Sequence, residues 1–200
     1  MDVAATSRGF GYVARFDARV LILGSLPGKV SLERGEYYAR TRNAFWRIMG
    51  ELAGASPQLR YEDRLRLLKE KGIALWDVCA AGHRRGSSDS AIRLDTVETN
   101  DFSSFLRAHP GIELICFNGR KAREIFDLKV RQGQRHLFER IRYAVLPSTS
   151  PAHAAMPYER KLSHWRRVLS EGGTPDSLAI CGSPRLTGEA ESYSCSHGGP

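Results

Sequence analysis

Four short apolar runs, residues 20–23, 73–78, 112–117 and 143–146, constrain this chain more than any other feature. Each is rich in Val, Ile, Leu and aromatic residues and too short for a helix of ordinary length, so each reads as a strand covered on both faces. The stretches between them carry helical spacing. Ala44, Ile48, Met49 and Leu52 share one face after Asn43, a suitable N-cap. Residues 59–71 are charged and Leu-rich and stop at Gly72, as a helix C-terminus should. Asp101 is placed to cap 102–108 before Pro110, residues 120–128 follow Gly119, and 158–170 closes the series. Strands alternating with helices predict an α/β fold, with a central four-stranded, mainly parallel sheet flanked by helices on both faces. Residues 1–171 form one domain on this reading. Residues 172–200, rich in Gly, Ser and Pro, form a flexible, disordered tail.

Charge narrows the partners. The chain has 30 Lys+Arg against 22 Asp+Glu, a formal +8. Residues 172–200 hold one Arg against three acidic residues, a net −2, which leaves +10 on residues 1–171. Such an excess suits a polyanion, through steering and counterion release, although a basic surface alone does not require one. No signal-peptide-like or membrane-length apolar stretch is present, so a cytoplasmic protein without a membrane partner is expected. Cys79, Cys116, Cys181 and Cys195 are scattered and form no CxxC, which argues against a disulfide framework, a metal site or an iron–sulfur cluster.

Two small, Pro-stiffened loops follow the first and last runs: Gly24-Ser25-Leu26-Pro27-Gly28 and Pro147-Ser148-Thr149-Ser150-Pro151-Ala152-His153-Ala154. Leaving the same edge of a parallel sheet, they would meet at the crevice where open α/β folds bind ligands. The first is not a phosphate-binding P-loop, since three rather than four residues separate its glycines and Val30 follows Lys29. No Gly-x-Ser-x-Gly elbow supports a serine nucleophile, and Cys79 with His83 is one pair short of a zinc site. Asn118, at the carboxyl end of the third run, either points into the crevice or caps the next helix. Asp77 holds the equivalent place on the second run, either to orient the pocket or, the favoured reading, to pair with Arg84 or Arg85.

Taken together, Gly24-Ser25-Leu26-Pro27-Gly28, Tyr37-Tyr38, Asn43-Ala44-Phe45-Trp46, Phe117-Asn118-Gly119 and Pro147–Pro151 resemble the signature segments of the uracil-DNA glycosylase superfamily. The likeness spans residues 20–169 and is strongest to the hypoxanthine (deoxyinosine) DNA glycosylase branch. Another branch carries an Asn at the third position of the first loop, where this chain has Leu26, a side chain that can neither orient nor activate water. The resemblance therefore implies Asn43 as the catalytic, water-positioning residue and Phe45 as the ring that stacks the base. It implies Asn118 as the reader of the base edge, with Gly24, Ser25 and His153 also on the base. The second loop is implied as the minor-groove wedge, with Ser148, Ser150 and Pro151 on DNA. Arg84 and Arg85, within the loop 83–90, are implied to meet the backbone or close the pocket.

The expected activity is that of a monomeric, monofunctional, cofactor- and metal-independent DNA glycosylase acting on DNA with a deaminated base, uracil or hypoxanthine. Lys29 is the only lysine in either signature loop, which weakens a Schiff-base mechanism. Leu26 supports the main alternative, a non-catalytic binder of damaged or single-stranded DNA. A nucleoside hydrolase on a related sheet is the third reading.

Overall fold

The structure, a computed structural model, describes residues 6–86 and 88–170. Its central sheet consists of β2 (Val20–Gly24), β3 (Ile73–Asp77), β6 (Leu114–Asn118) and β7 (Arg142–Leu146). All neighbours are parallel, in the order β3-β2-β6-β7. The four predicted runs are these four strands, with boundaries moved by one or two residues.

Alternation along each strand divides the core into two layers. Leu21, Leu23, Trp76, Ile115 and Phe117 pack against Phe102 and Phe105 of α4 (Phe102–Ala108) and Ile125 and Phe126 of α5 (Arg120–Lys129). Ile22, Leu75, Cys116 and Ala144 face the opposite way. They meet Phe45, Ile48 and Met49 of α2 (Phe45–Ala53), Leu68 of α3 (Tyr61–Glu70) and Trp165 of α6 (Tyr158–Ser170). Helices thus cover both faces of the sheet.

Local signals explain the helix ends. Asp101 accepts a hydrogen bond from the Ser104 backbone N–H at 2.9 Å and caps α4 as expected. α2 ends at Gly54, whose φ of 73° suits glycine. Asn43 is not its N-cap; that place belongs to Ala44. Instead Asn43 Oδ1 accepts the Phe45 N–H at 3.0 Å, a local Asx-type bond just before the helix.

Two features were not predicted. One is the six-residue α1 (Lys29–Arg34) on the first loop. The other is a small antiparallel sheet of β1 (Thr6–Arg8), β4 (Cys79–His83) and β5 (Glu98–Thr99), ordered β1-β4-β5. The predicted tail, 172–200, lies outside the described residues, as do Cys181 and Cys195; Cys79 and Cys116 are buried free thiols. Among the described residues no helix is long and apolar enough to cross a membrane, and no group of three or more His, Cys, Asp or Glu could hold a metal ion.

Candidate active site

The order β3-β2-β6-β7 makes β2 and β6 the strands from which connections depart in opposite directions, so a crevice opens beyond their carboxyl ends. That crevice is the cleft of this molecule. Its walls are the first loop (Gly24–Val30), Tyr37, Tyr38, Arg40, Asn43, Asp77, Arg84, Asp89, Asn118 and the second loop from Ser148 to Pro151. It is open to solvent at its mouth.

Close backbone approach shapes the floor. A Cβ on Gly24 would fall 2.2 Å from Asp77 Oδ1 and 3.1 Å from Tyr38 Oη, so glycine is required for the carboxyl and the phenol to meet beside β2. Asp77 is 3% exposed, and its Oδ2 has no hydrogen-bond partner among the described residues. Burial above all, then the nearby Asp89 charge, pushes its carboxyl up to about 7, against the pull of Arg84. Asp77 is thus a cleft residue with no ion pair among the described residues. Arg84, the partner expected for it, pairs with Asp89 at 3.4 Å.

Asn118 ties the two halves of the site together. Its amide donates to Thr149 Oγ1 at 2.8 Å, and its carbonyl oxygen accepts the Thr149 N–H at 2.9 Å. The second loop is anchored further by Trp165 Nε1, which donates to the Pro147 carbonyl at 3.0 Å. Thr149 also accepts the Ala44 N–H at 3.0 Å, which binds the Asn43 segment to the same loop. Tyr38 Oη faces the Asn118 amide without reaching hydrogen-bond geometry, and burial raises its ionisation well above the usual phenol range.

Phe45 and His153 stand off the cleft, and Arg84 lines it without reaching solvent. Phe45 is fully buried and does not line it; its ring lies under that of Tyr38, centroids 4.0 Å apart and 24° from parallel, with Trp46 and Trp165 edge-on around it. Tyr38, held at φ 55°, borders the cleft together with the more deeply buried Tyr37. His153 is exposed and off the cleft, and its backbone carbonyl accepts Lys161 Nζ at 2.7 Å. The Arg84 side chain is 2% exposed, too buried to meet a DNA backbone. Its guanidinium donates to the carbonyls of Leu26 (3.1 Å) and Pro27, so it holds the first loop in shape.

The remaining expectations fall as follows. Gly24, Ser25, Asn43, Asn118, Ser148, Ser150 and Pro151 all line the cleft. Ser25 is engaged, its hydroxyl donating to Asp89 Oδ1 at 2.8 Å. Arg85 is exposed beside the cleft-lining Arg84. Tyr38 as a wall, and Arg40 with Lys29 as cations of the wall, were not expected from the sequence, whereas Asp77 takes the less favoured of its two expected places, in the pocket. Tyr37-Tyr38 and Lys29 were visible as motif residues; nothing in the sequence singles out Arg40.

Comparisons with known proteins converge on one assignment. The profile described as "Uracil DNA glycosylase superfamily" matches residues 10–171. A protein named hypoxanthine DNA glycosylase from Methanosarcina acetivorans is 41% identical over 163 residues, 81% of this chain and 97% of that one. Its namesake from Methanosarcina barkeri is 42% identical over 118 residues, 58% of this chain and 73% of that one. The solution NMR structure of a candidate uracil DNA glycosylase from M. acetivorans superposes with a TM-score of 0.69 at 38% identity, covering 84% of this chain and 98% of that one.

Proposed function

The chain belongs to the uracil DNA glycosylase superfamily, and we propose that it is a monofunctional glycosylase that hydrolyses hypoxanthine from DNA, with Asn43 positioning the attacking water. The enzyme class, a DNA glycosylase acting on deaminated bases, follows from the family. The base preference rests on the names of the two relatives. The observation that carries the water-positioning reading is that, among the described residues, the Asn43 side chain makes one hydrogen bond inside the cleft wall. Its Oδ1 takes one N–H, from Phe45, which fixes the amide plane and leaves a second lone pair for a water.

The reaction asks little acid–base strength of Asn43. A flipped deoxynucleotide enters the cleft, the C1′–N9 bond breaks with its electrons going to the base, and the sugar passes through an oxocarbenium-like state. An amide oxygen orients the water toward C1′ without removing its proton beforehand, and the proton leaves to solvent after attack. Tyr38, backed by Phe45, supplies the stacking surface. Asn118, with one amide hydrogen left after its bonds to Thr149, supports base-edge contact. The second loop, stiffened by Pro147 and Pro151, is the wedge, and Lys29, Arg40 and Arg85 supply positive charge for the backbone. The domain of residues 1–171 acts as a monomer, without metal or iron–sulfur cluster. Base release from a hypoxanthine-containing oligonucleotide by wild type and Asn43→Ala tests this reading. It fails if wild type binds such DNA and frees no base.

A further inference from the structure

Among the described residues Asp77 is the one buried carboxyl in the cleft, and the mechanism above leaves it unused. It ends β3 directly across from Gly24, whose missing side chain opens the space its carboxyl occupies. One oxygen, Oδ2, is buried without a partner, and the neighbouring Tyr38 Oη is likewise unpartnered among the described residues. A buried polar atom left without a partner is costly, and a fold tolerates it more readily where a ligand supplies the missing bond.

We propose that Asp77 is a further catalytic residue: its protonated carboxyl hydrogen-bonds a ring nitrogen of the flipped hypoxanthine and gives up its proton there as the C1′–N9 bond breaks. This rests on the glycosylase reading and adds a general acid to it. The electron pair of C1′–N9 passes to the base, the carboxyl proton neutralises it, and hypoxanthine leaves uncharged. Water oxygen bonds C1′ and its proton goes to solvent. Asp77, now a carboxylate, regains a proton from solvent once the product has gone.

The surroundings favour the protonated form near neutral pH. The carboxyl faces Asp89, a like charge that adds to the effect of burial, and Arg84, which opposes it. Arg84 is largely committed elsewhere, to the Leu26 and Pro27 carbonyls and to Asp89. The other titratable groups that feel Asp77 are Tyr37, Tyr38, Tyr61 and the Cys79 thiol, all raised chiefly by burial and so uncharged at that pH.

The experiment is single-turnover release of hypoxanthine across pH 5–9 by wild type, Asp77→Asn and Asp89→Asn, with melting curves alongside. Asn fills the same space and removes a buried charge, so Asp77→Asn is expected to fold. Wild-type release should fall about tenfold per pH unit above roughly pH 7, where the acid form is lost. Asp77→Asn should release base about 10²-fold more slowly at pH 6 and lose the alkaline fall, since a general acid contributes at least that much. Asp89→Asn, which removes the like charge, should move the fall to lower pH. A folded Asp77→Asn that keeps the wild-type rate, or keeps the alkaline fall, overturns the proposal while leaving the glycosylase reading intact. An alkaline fall that Asp89→Asn does not move also overturns it. Absence of hypoxanthine release by wild type at every pH defeats the glycosylase reading instead.

Discussion

Asn118 and Thr149 hold each other through two reciprocal hydrogen bonds, 2.8 and 2.9 Å, that join the carboxyl end of β6 to the second loop. Residues 31 apart in sequence thereby fix the width of the cleft from one side, and Thr149 reaches on to Ala44 beside Asn43. Positioning a base and a water within the same frame demands this rigidity, since small displacements cost large factors in rate.

Thr149→Val leaves the Asn118 amide with an unmet buried donor. It should cost about 1–3 kcal/mol in stability by denaturant titration and lower base release with it, while Thr149→Ser keeps both.

Tyr38→Ala removes the more exposed of the two tyrosine rings that line the cleft. Base–aromatic stacking contributes about 1–3 kcal/mol, so hypoxanthine DNA should bind roughly tenfold more weakly or worse, with the fold retained. Phe45→Ala instead opens a cavity beneath Tyr38 and among Trp46 and Trp165, at a cost of about 3–5 kcal/mol. Comparing melting and binding for the two variants separates a wall residue from a core residue.

Arg84→Ala unties the first loop from Leu26 and Pro27, so the expected result is a drop of several degrees in Tm with loss of activity. Arg85→Ala should leave Tm unchanged and reduce the salt slope of DNA binding by about one. Binding isotherms over a range of salt concentrations distinguish them.

Burial gives Asp77 a further, testable effect on stability. Its folded pKa, about 7, lies above the ordinary 3.8 of the unfolded chain, so the folded state holds this proton more tightly. Its contribution is therefore full below about pH 4 and is lost as pH rises toward 7. Asp77→Asn should melt higher than wild type at pH 8, and the gain should vanish by pH 4.

Where buried runs determine structure, the chain is legible from sequence. The central strands are apolar on both faces, and 102–108 announces itself through Asp101 and Pro110. β1 and β4 give weaker signals, because a three-residue strand and the small residues of Cys79–His83 carry little pattern. At the site, motif spacing located the loops, Asn43 and Asn118, but not which of two adjacent aromatic segments faces solvent. That depends on the φ of 55° at Tyr38, a tertiary outcome. Arg84 and Arg85 look alike in sequence; only the carbonyls of Leu26 and Pro27, over fifty residues away, set them apart.

The central claim is that Asn43 positions the water that releases hypoxanthine. The most direct measurement is single-turnover release of labelled hypoxanthine from duplex DNA by wild type and Asn43→Ala, with DNA affinity and Tm measured on the same samples. The account predicts release by wild type and a loss of about 10²-fold or more in the variant, at unchanged DNA affinity and with only the modest fall in Tm that loss of the Phe45 N–H partner brings. Equal release by both proteins would contradict it.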